Sequence, residues 1–239
     1  MWVVIVKELD VMNRESDSIR ALKVVSKLRV KFDEELMRGW DEKFGAIDYY
    51  DYVAPFYDEM YNEEQKAKID VALRHVDPVK ESVILDAGCG TGFLFRCLSE
   101  KVRLLVGLDT SLGILKEAKK LANSFPNVHL IRADADFIPF PNAIFDTVFA
   151  LTLLQNMPNP LWVLNELKRV GKTRSNFVIT AFKKYRKYRH FVQTTFLALL
   201  DTAGFEVSVI ENNEKLKDFI AICKQKTSEP MHSQTFNKI

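Results

Sequence analysis

The stretch that decides the fold is LDAGCGTG, at residues 85–92. A short apolar run from Val83 to Leu85 indicates a buried strand, and a helical pattern follows the glycines. A glycine-rich turn between a strand and a helix brings backbone N–H groups against a ligand. The spacing is Asp-x-Gly-x-Gly-x-Gly, because Phe93 stands where a dinucleotide-binding turn has its third glycine. The sequence therefore predicts an α/β domain with a ligand at this turn.

Two further acidic motifs follow at the ends of the next predicted strands. Asp109 closes the second strand, 21 residues beyond Gly88. An acidic group at that place can accept hydrogen bonds from both ribose hydroxyls, although a solvated turn aspartate is the alternative. Asp134 and Ala135 follow the third strand, and Phe145-Asp146 stands near the fourth, where Asp146 has a structural role. Three motifs in order indicate a nucleoside-binding site along one edge of the sheet.

Residues 49–224, which contain these motifs, resemble the class I S-adenosylmethionine (SAM)-dependent methyltransferases, in particular a type-11-like subgroup. The resemblance implies that the glycine loop wraps the amino-acid end of SAM and that Asp86 orients it. It also implies that Asp109 holds the ribose, and that Asp134 accepts from the adenine amino group while the next backbone N–H donates. The cofactor-binding residues that it implies are Asp86, Gly88, Cys89, Gly90, Gly92, Asp109, Thr110, Asp134, Ala135 and Leu151.

The order of predicted elements indicates a Rossmann-like α/β fold. Short apolar strands alternate with amphipathic helices from residue 82 onward, which predicts a mostly parallel seven-stranded sheet covered on both faces. The last two strands lack an intervening helix, so we expect an antiparallel edge hairpin. Apolar spacing predicts a helix over residues 14–40 and a second from Glu63 to Val76. We therefore expect an N-terminal helical extension (1–48), a SAM-binding domain (49–224) and a disordered tail (225–239).

Composition excludes several other classes of protein. Apolar residues make up 47% and charged residues 28% of the 239 residues, as in ordinary globular domains. No apolar run approaches the roughly 18 to 20 residues of a membrane span, so we expect a cytoplasmic protein without a membrane partner. Neither the three cysteines nor the four histidines show metal-ligand spacing, so we expect no metal site. The oligomeric state is left open.

The candidate catalytic residues are Gln155, Asn156 and Tyr57. Many small-molecule relatives carry a histidine pair where the two amides stand, and an imidazole can serve as a base near neutral pH. An amide can only form hydrogen bonds, which favours holding an amino group or a base edge over methylating a hydroxyl. Capping of a helix near Asn159 is the alternative for the amides. Tyr57 belongs to a Phe-Tyr-Asp segment that lids the cofactor in relatives, and aromatic packing is its alternative.

A strongly basic segment follows the predicted fifth strand, with five positive charges in seven residues. Positive charges interleaved with aromatic rings suit phosphate contact and base stacking, while a solvated loop is the alternative. The segment follows a strand of the sheet at the end where ligands bind in such folds. Its candidate RNA-binding residues are Lys183, Lys184, Tyr185, Arg186, Lys187 and Arg189.

Two classes of methyl acceptor remain open. A resemblance to compact archaeal methyltransferases, some of which methylate the amino group of a ribosomal RNA cytidine, implies N-methylation of an RNA base in rRNA or tRNA. The same general shape serves quinone, sterol and small-metabolite methylation, which makes a small-molecule acceptor the principal alternative. A protein target and a non-catalytic binding module are further alternatives. The sequence leaves the modified atom and the number of methyl groups open.

Overall fold

A computed structural model of the protein describes residues 34, 36–183, 191–214 and 216–226. The described chain forms one seven-stranded sheet with the order β3-β2-β1-β4-β5-β7-β6. The strands are β1 (Val83–Ala87), β2 (Leu104–Asp109), β3 (Val128–Arg132), β4 (Phe145–Ala150), β5 (Gly171–Phe182), β6 (Phe205–Glu211) and β7 (Asp218–Gln225). Strands β1 to β5 are parallel, and β7 is antiparallel to both β5 and β6. The predicted mostly parallel sheet with an antiparallel edge hairpin is confirmed.

Helices cover both faces of the sheet. They are α1 (36–53), α2 (Tyr57–His75), α3 (Phe93–Leu98), α4 (Leu112–Ala122), α5 (Pro160–Val170) and α6 (Gln193–Thr202). Alternate strand residues point to opposite faces. Leu85 therefore packs in the cluster that contains α5 and α6, while Ile84 packs in the cluster that contains α2, α3 and α4. No helix of the described residues is both long and apolar enough to cross a membrane.

Local capping explains where two of these helices begin. Ser111 is the N-cap of α4, and its Oγ accepts from the Ile114 N–H at 3.1 Å. Asn159 is the N-cap of α5, with its Oδ1 accepting from the Leu161 N–H at 3.1 Å. Pro160 starts α5, where the absent N–H needs no partner. These caps therefore fix where the loops after β2 and β4 end and where α4 and α5 begin.

The N-terminal part differs from the predicted helices. The described chain is helical over 36–53, beyond the predicted end at residue 40, and residues 14–33 lie outside the described part. The second helix begins at Tyr57 rather than at Glu63. The predicted start of this helix was wrong because the tyrosine-rich stretch is itself helical. Its rings pack against one another, with the Tyr57 and Tyr61 centroids 4.8 Å apart. The expected boundary at residues 48/49 falls within α1.

Candidate functional site

The glycine loop after β1 forms the tight turn that its sequence predicts. Gly88 and Gly90 adopt φ values of +74° and +54°, which residues with a Cβ adopt only at a cost. The N–H groups of Gly88 and Cys89 donate to the Leu108 carbonyl at 2.7 and 3.0 Å, which ties the loop to β2. A Cβ at Gly92 would overlap the Phe95 ring, so glycine there permits close packing of α3. Because these glycines have no side chains, the loop leaves space for a ligand beside its backbone.

Two carboxylates lie at this loop, the buried Asp86 and the half-buried Asp109. The Oδ2 of Asp109 accepts from the Gly90 N–H at 3.1 Å, and its Oδ1 accepts from the Ser111 N–H at 3.0 Å. Burial raises the pKa of Asp109, although these backbone hydrogen bonds partly offset it. Burial, with a smaller contribution from the charge of Asp109, raises the pKa of Asp86 to about 7. No cationic side chain within the described ranges pairs with either carboxylate.

A cavity opens beside the loop. The predicted site residues that line it are Tyr57, Gly88, Gly90, Asp109, Thr110, Asp134, Ala135, Leu151 and Asn156. Asp86, Cys89 and Gly92 do not line it. Cys89 is buried and its thiol donates to the Gly90 carbonyl at 3.5 Å, so it supports the turn. We call this space the cofactor cavity.

Sequence reasoning missed Lys43, which lines the same cavity from α1. Its Nζ donates to both oxygens of Asp134, at 2.6 and 2.7 Å, and to Oδ2 of Asp136 at 2.6 Å. The lysine lies 91 residues from Asp134 in sequence and outside every motif, so no local pattern could have found it. The carboxylate predicted to receive adenine thus already has a cationic partner in the protein.

A second cavity of about 890 Å³ adjoins the first. Both cavities are lined by the same five residues, which are Ala46, Tyr50, Tyr57, Thr152 and Asn156. The second cavity adds Tyr49, Tyr61, Glu64, Gln65, Gln155, Phe182 and Lys217. Four tyrosine rings therefore surround a space that is continuous with the cofactor cavity. We call it the acceptor cavity.

The two candidate amides lie beside the cavities: Asn156 lines both, and Gln155 lines the acceptor cavity. Gln155 Nε2 donates to the Thr152 carbonyl at 2.6 Å, while its buried Oε1 has no hydrogen-bond partner among the described residues. Asn156 Nδ2 donates to the Tyr50 hydroxyl at 3.3 Å and to the Thr152 carbonyl at 3.4 Å. Asn159 caps α5, so the capping alternative for Gln155 and Asn156 is wrong. The arrangement leaves Gln155 Oε1 as a buried acceptor atom that no described residue satisfies.

Tyr57 lines both cavities and is almost fully buried. Its hydroxyl accepts from Gln65 Nε2 at 3.3 Å, and burial raises its pKa well above the ordinary value. The hydroxyl therefore stays protonated at neutral pH. Its ring also packs against Tyr50 and Tyr61, so both the packing interpretation and the lid interpretation suit its position.

Most of the basic segment lies outside the described residues. Lys184, Tyr185, Arg186, Lys187 and Arg189 are among those not described. Lys183 is described, and its Nζ donates to the Asn213 carbonyl at 2.7 Å. The Phe191 N–H donates to the Phe182 carbonyl at 2.9 Å, and Phe182 lines the acceptor cavity. The basic segment therefore leaves and rejoins the described fold beside that cavity.

Comparisons with known proteins agree with this geometry. Residues 85–179 match a family model described as a methyltransferase domain. An uncharacterized protein of Methanocaldococcus jannaschii is 32% identical over 144 residues, which cover 60% of this chain and 54% of the relative. A tRNA U34 carboxymethyltransferase of Vibrio cholerae is 30% identical over 186 residues, which cover 69% of this chain and 56% of the relative. The matches thus span little more than half the length of these relatives.

A solved structure shares the fold across nearly its whole length. A magnesium protoporphyrin IX methyltransferase from Synechocystis, with bound SAM, superposes with a TM-score of 0.64. The comparison covers 77% of this chain and 97% of that structure at 16% sequence identity. At this identity the similarity establishes the architecture of the sheet and its helices.

Proposed function

From the membership of this chain in the class I SAM-dependent methyltransferase family, we propose that it transfers a methyl group from SAM to an exocyclic amino group of an RNA base. The observation that carries the proposal is the pair of adjoining cavities, one lined by Asp109 and Asp134 and the other by four tyrosine rings, with the Gln155 amide in the wall of the second. The RNA would be ribosomal or transfer RNA.

The cofactor cavity fits SAM in charge and shape. Asp86 and Asp109 have no cationic partner among the described residues, and SAM brings a sulfonium and an ammonium group that such an environment favours. Asp109 lines the cavity, and its carboxylate can accept hydrogen bonds from the ribose hydroxyls. Gly88 and Gly90 allow the backbone to approach the amino-acid end. When bound, SAM supplies a methyl group that its sulfonium already activates, so the protein needs to position the acceptor and exclude water.

The acceptor cavity favours an amino group on a planar ring. Gln155 lines this cavity, and because its Nε2 is used by the Thr152 carbonyl, the unpaired atom of the amide is the acceptor Oε1, which requires an N–H or O–H donor. Tyr49, Tyr50 and Tyr61 supply aromatic surface on which a flat ligand can pack. The amides Gln155 and Asn156 cannot remove a proton from a hydroxyl. These features together favour holding an amino group over activating a hydroxyl.

Two observations support RNA as the source of that base. The described residues that flank the basic segment lie beside the acceptor cavity, since the Phe191 N–H donates to the carbonyl of Phe182, which lines it. The V. cholerae relative is a tRNA-modifying enzyme by name. Phosphate contacts by the segment would hold the strand while the aromatic cavity takes one unstacked base.

A small aromatic molecule is the second candidate acceptor. The acceptor cavity offers aromatic rings on which such a ligand can pack without any polymer contact. The structural relative from Synechocystis acts, by name, on a porphyrin. A small-molecule acceptor would leave the basic segment as a solvated loop.

The test is transfer of labelled methyl from SAM to total unmodified RNA, followed by digestion to nucleosides. We expect label in one N-methylated nucleoside, with a rate that falls steeply as salt is added. Asp109→Asn serves as the cofactor control, because it removes the ribose-binding charge and should weaken both SAM affinity and transfer. Unlabelled RNA from a preparation that binds SAM would overturn the RNA proposal and favour the small molecule. Wild-type protein that fails to bind SAM would overturn the enzyme proposal itself.

A further inference from the structure

One face of α1 forms a wall of the cofactor cavity. Lys43, Ala46, Ile47 and Tyr50 all line this cavity, and their spacing of three, four and seven residues places them on a single helical face. Tyr50 also accepts from Asn156 Nδ2 at the junction with the acceptor cavity. The cavity described above therefore has this shape only when α1 is docked on the domain.

Lys43 holds that face of α1 against the domain through polar contacts. Its side chain is 4% exposed, and its ammonium group makes three short contacts with carboxylate oxygens of Asp134 and Asp136. The Trp40 ring lies over the same nitrogen, 4.7 Å from its centroid. Since an ammonium group has three N–H donors, Lys43 has none left for a ligand. It acts on the cavity through the two carboxylates.

The carboxylates need this cation because they are close to each other. The Asp136 N–H donates to Asp134 Oδ1 at 3.0 Å, and the two acids are two residues apart at the end of β3. Burial raises the pKa of Asp136, and the hydrogen bond and charge of Lys43 oppose that rise. Without Lys43, two like charges would face each other beside the cavity. Asp134 would then turn away from Asp136.

Asp134 keeps capacity for a ligand while Lys43 holds it. Its side chain remains 31% exposed, and each carboxylate oxygen has a second lone pair. Oδ1 accepts from Lys43 and from the Asp136 N–H, whereas Oδ2 accepts from Lys43 alone. One lone pair of Oδ2 is therefore open for a donor such as an adenine amino group.

We propose that Lys43 is a positioning residue for the cofactor: it aims Asp134 at the adenine amino group and couples docking of α1 to cofactor binding. This inference rests on the proposed function, because it takes SAM as the ligand of the cavity. Binding of the adenosyl group and docking of α1 then favour each other, and by linkage each strengthens the other by the same factor. The C-terminal end of α1 is held separately, since Asp51 Oδ1 accepts from the Gly113 N–H at 2.7 Å.

The test compares Lys43→Met with Arg38→Met in binding of S-adenosylhomocysteine by calorimetry. Arg38 lies on the same helix and its removal changes the net charge equally, but its side chain is 73% exposed and, among the described residues, pairs with Glu42 alone. We expect Lys43→Met to weaken binding about tenfold and Arg38→Met to leave it unchanged. Hydrogen exchange over residues 36–53 should slow when wild type binds S-adenosylhomocysteine, and should slow much less in Lys43→Met.

A double variant separates positioning from folding. Lys43→Met leaves Asp136 buried without its cation, so we also examine Lys43→Met/Asp136→Asn, which removes that charge. We expect the double variant to recover thermal stability but not affinity for S-adenosylhomocysteine. Equal affinity in folded Lys43→Met and wild type, or recovery of affinity in the double variant, would overturn the inference and leave the proposed function intact. Wild type that does not bind S-adenosylhomocysteine would overturn both.

Discussion

The cofactor cavity and the acceptor cavity share a wall but handle buried charge in opposite ways. At the glycine loop beside the cofactor cavity, Asp86 and Asp109 have no cationic partner among the described residues, and burial raises the pKa of each. Beside the acceptor cavity, Lys68 is completely buried and pairs with Asp218 and Glu64, and Lys217 also pairs with Glu64. The two acids of the first region therefore lack a cation, whereas the two lysines and two acids of the second balance. This difference suits a cationic cofactor next to an uncharged acceptor group.

The charges around Lys68 hold Thr152 in an uncommon backbone conformation. Thr152 lines both cavities and has a φ of +58°, which is unusual for a β-branched residue. Its Oγ1 accepts from Lys68 Nζ at 2.5 Å, and its N–H donates to Thr180 Oγ1 at 2.7 Å. Strained residues of this kind persist when their surroundings over-determine them, and they cluster at functional sites. The buried lysine therefore fixes the carbonyl that orients Gln155 and Asn156.

The largest effect that we expect comes from removing Lys68. Lys68→Met leaves Asp218 as a buried charge without its partner, so the free energy of unfolding should fall by about 3–5 kcal/mol. Lys217→Met is the matched control, because Lys217 also pairs with Glu64 but is 62% exposed. It should cost only about 0–1 kcal/mol. Urea unfolding of both variants measures the difference.

Equal losses for the two lysines would break the comparison between the cavities. They would mean that the fold does not need Lys68 to compensate the charge of Asp218. The acceptor side would then tolerate an unpaired carboxylate, as the cofactor side does. A second variant, Lys68→Met/Asp218→Asn, should recover most of the stability, because it removes the uncompensated charge along with the lysine.

The two cavities also differ in how far the sequence predicts them. The cofactor side is built from turns that directly follow β1, β2 and β3, so local sequence motifs are enough to identify Gly88, Gly90 and Asp109. The parallel sheet follows from the same alternation of strands and helices. Motif spacing carries this information because each ligand-facing residue lies just beyond the strand that positions it.

The acceptor side depends on contacts between distant parts of the chain. Lys68 reaches Asp218 across 150 residues, and Thr152 across 84. On a helix, Lys68 has the appearance of an ordinary surface lysine, and only the packing of α2 on the sheet buries it. The same reason applies to Lys43 of α1. The amides Gln155 and Asn156 were predictable as candidates, but the orientation of the Gln155 amide depends on the Thr152 backbone.

We expect a smaller effect on the cofactor side, where the free energy of unfolding should depend on pH through Asp86. The pKa of Asp86 is raised to about 7 from 3.8, so between these values the folded protein keeps a proton that the unfolded chain has lost. Unfolding then releases a proton, and the free energy of unfolding falls as pH rises through this window. Asp86→Asn should remove this dependence, a change of about 1–2 kcal/mol between pH 5.5 and 7.

Asp146 provides the control for that measurement. Burial alone would raise its pKa, but hydrogen bonds from Lys172 Nζ and the Val83 N–H hold it below the ordinary value. Asp146 therefore titrates below the window, and Asp146→Asn should leave the slope between pH 5.5 and 7 unchanged. A wild-type slope that persists in Asp86→Asn would show that Asp86 is not the buried proton-binding group of the cofactor side.

The smallest effect that we expect concerns Gln155 Oε1, the hydrogen-bond acceptor atom beside the acceptor cavity that no described residue satisfies. Gln155→Leu keeps a side chain of similar size but removes Oε1 together with the Nε2 bond to the Thr152 carbonyl. Transfer to an amino acceptor should therefore lose a neutral hydrogen bond, about 0.5–1.5 kcal/mol or roughly twofold to thirteenfold in kcat/KM. Affinity for S-adenosylhomocysteine should not change, because Gln155 lines only the acceptor cavity. Gln193→Leu is the control, since that amide pairs with Asn212 on the surface. Unchanged transfer by Gln155→Leu would mean that Oε1 does not contact the methyl acceptor. Loss of cofactor affinity would mean that the two cavities act as one site.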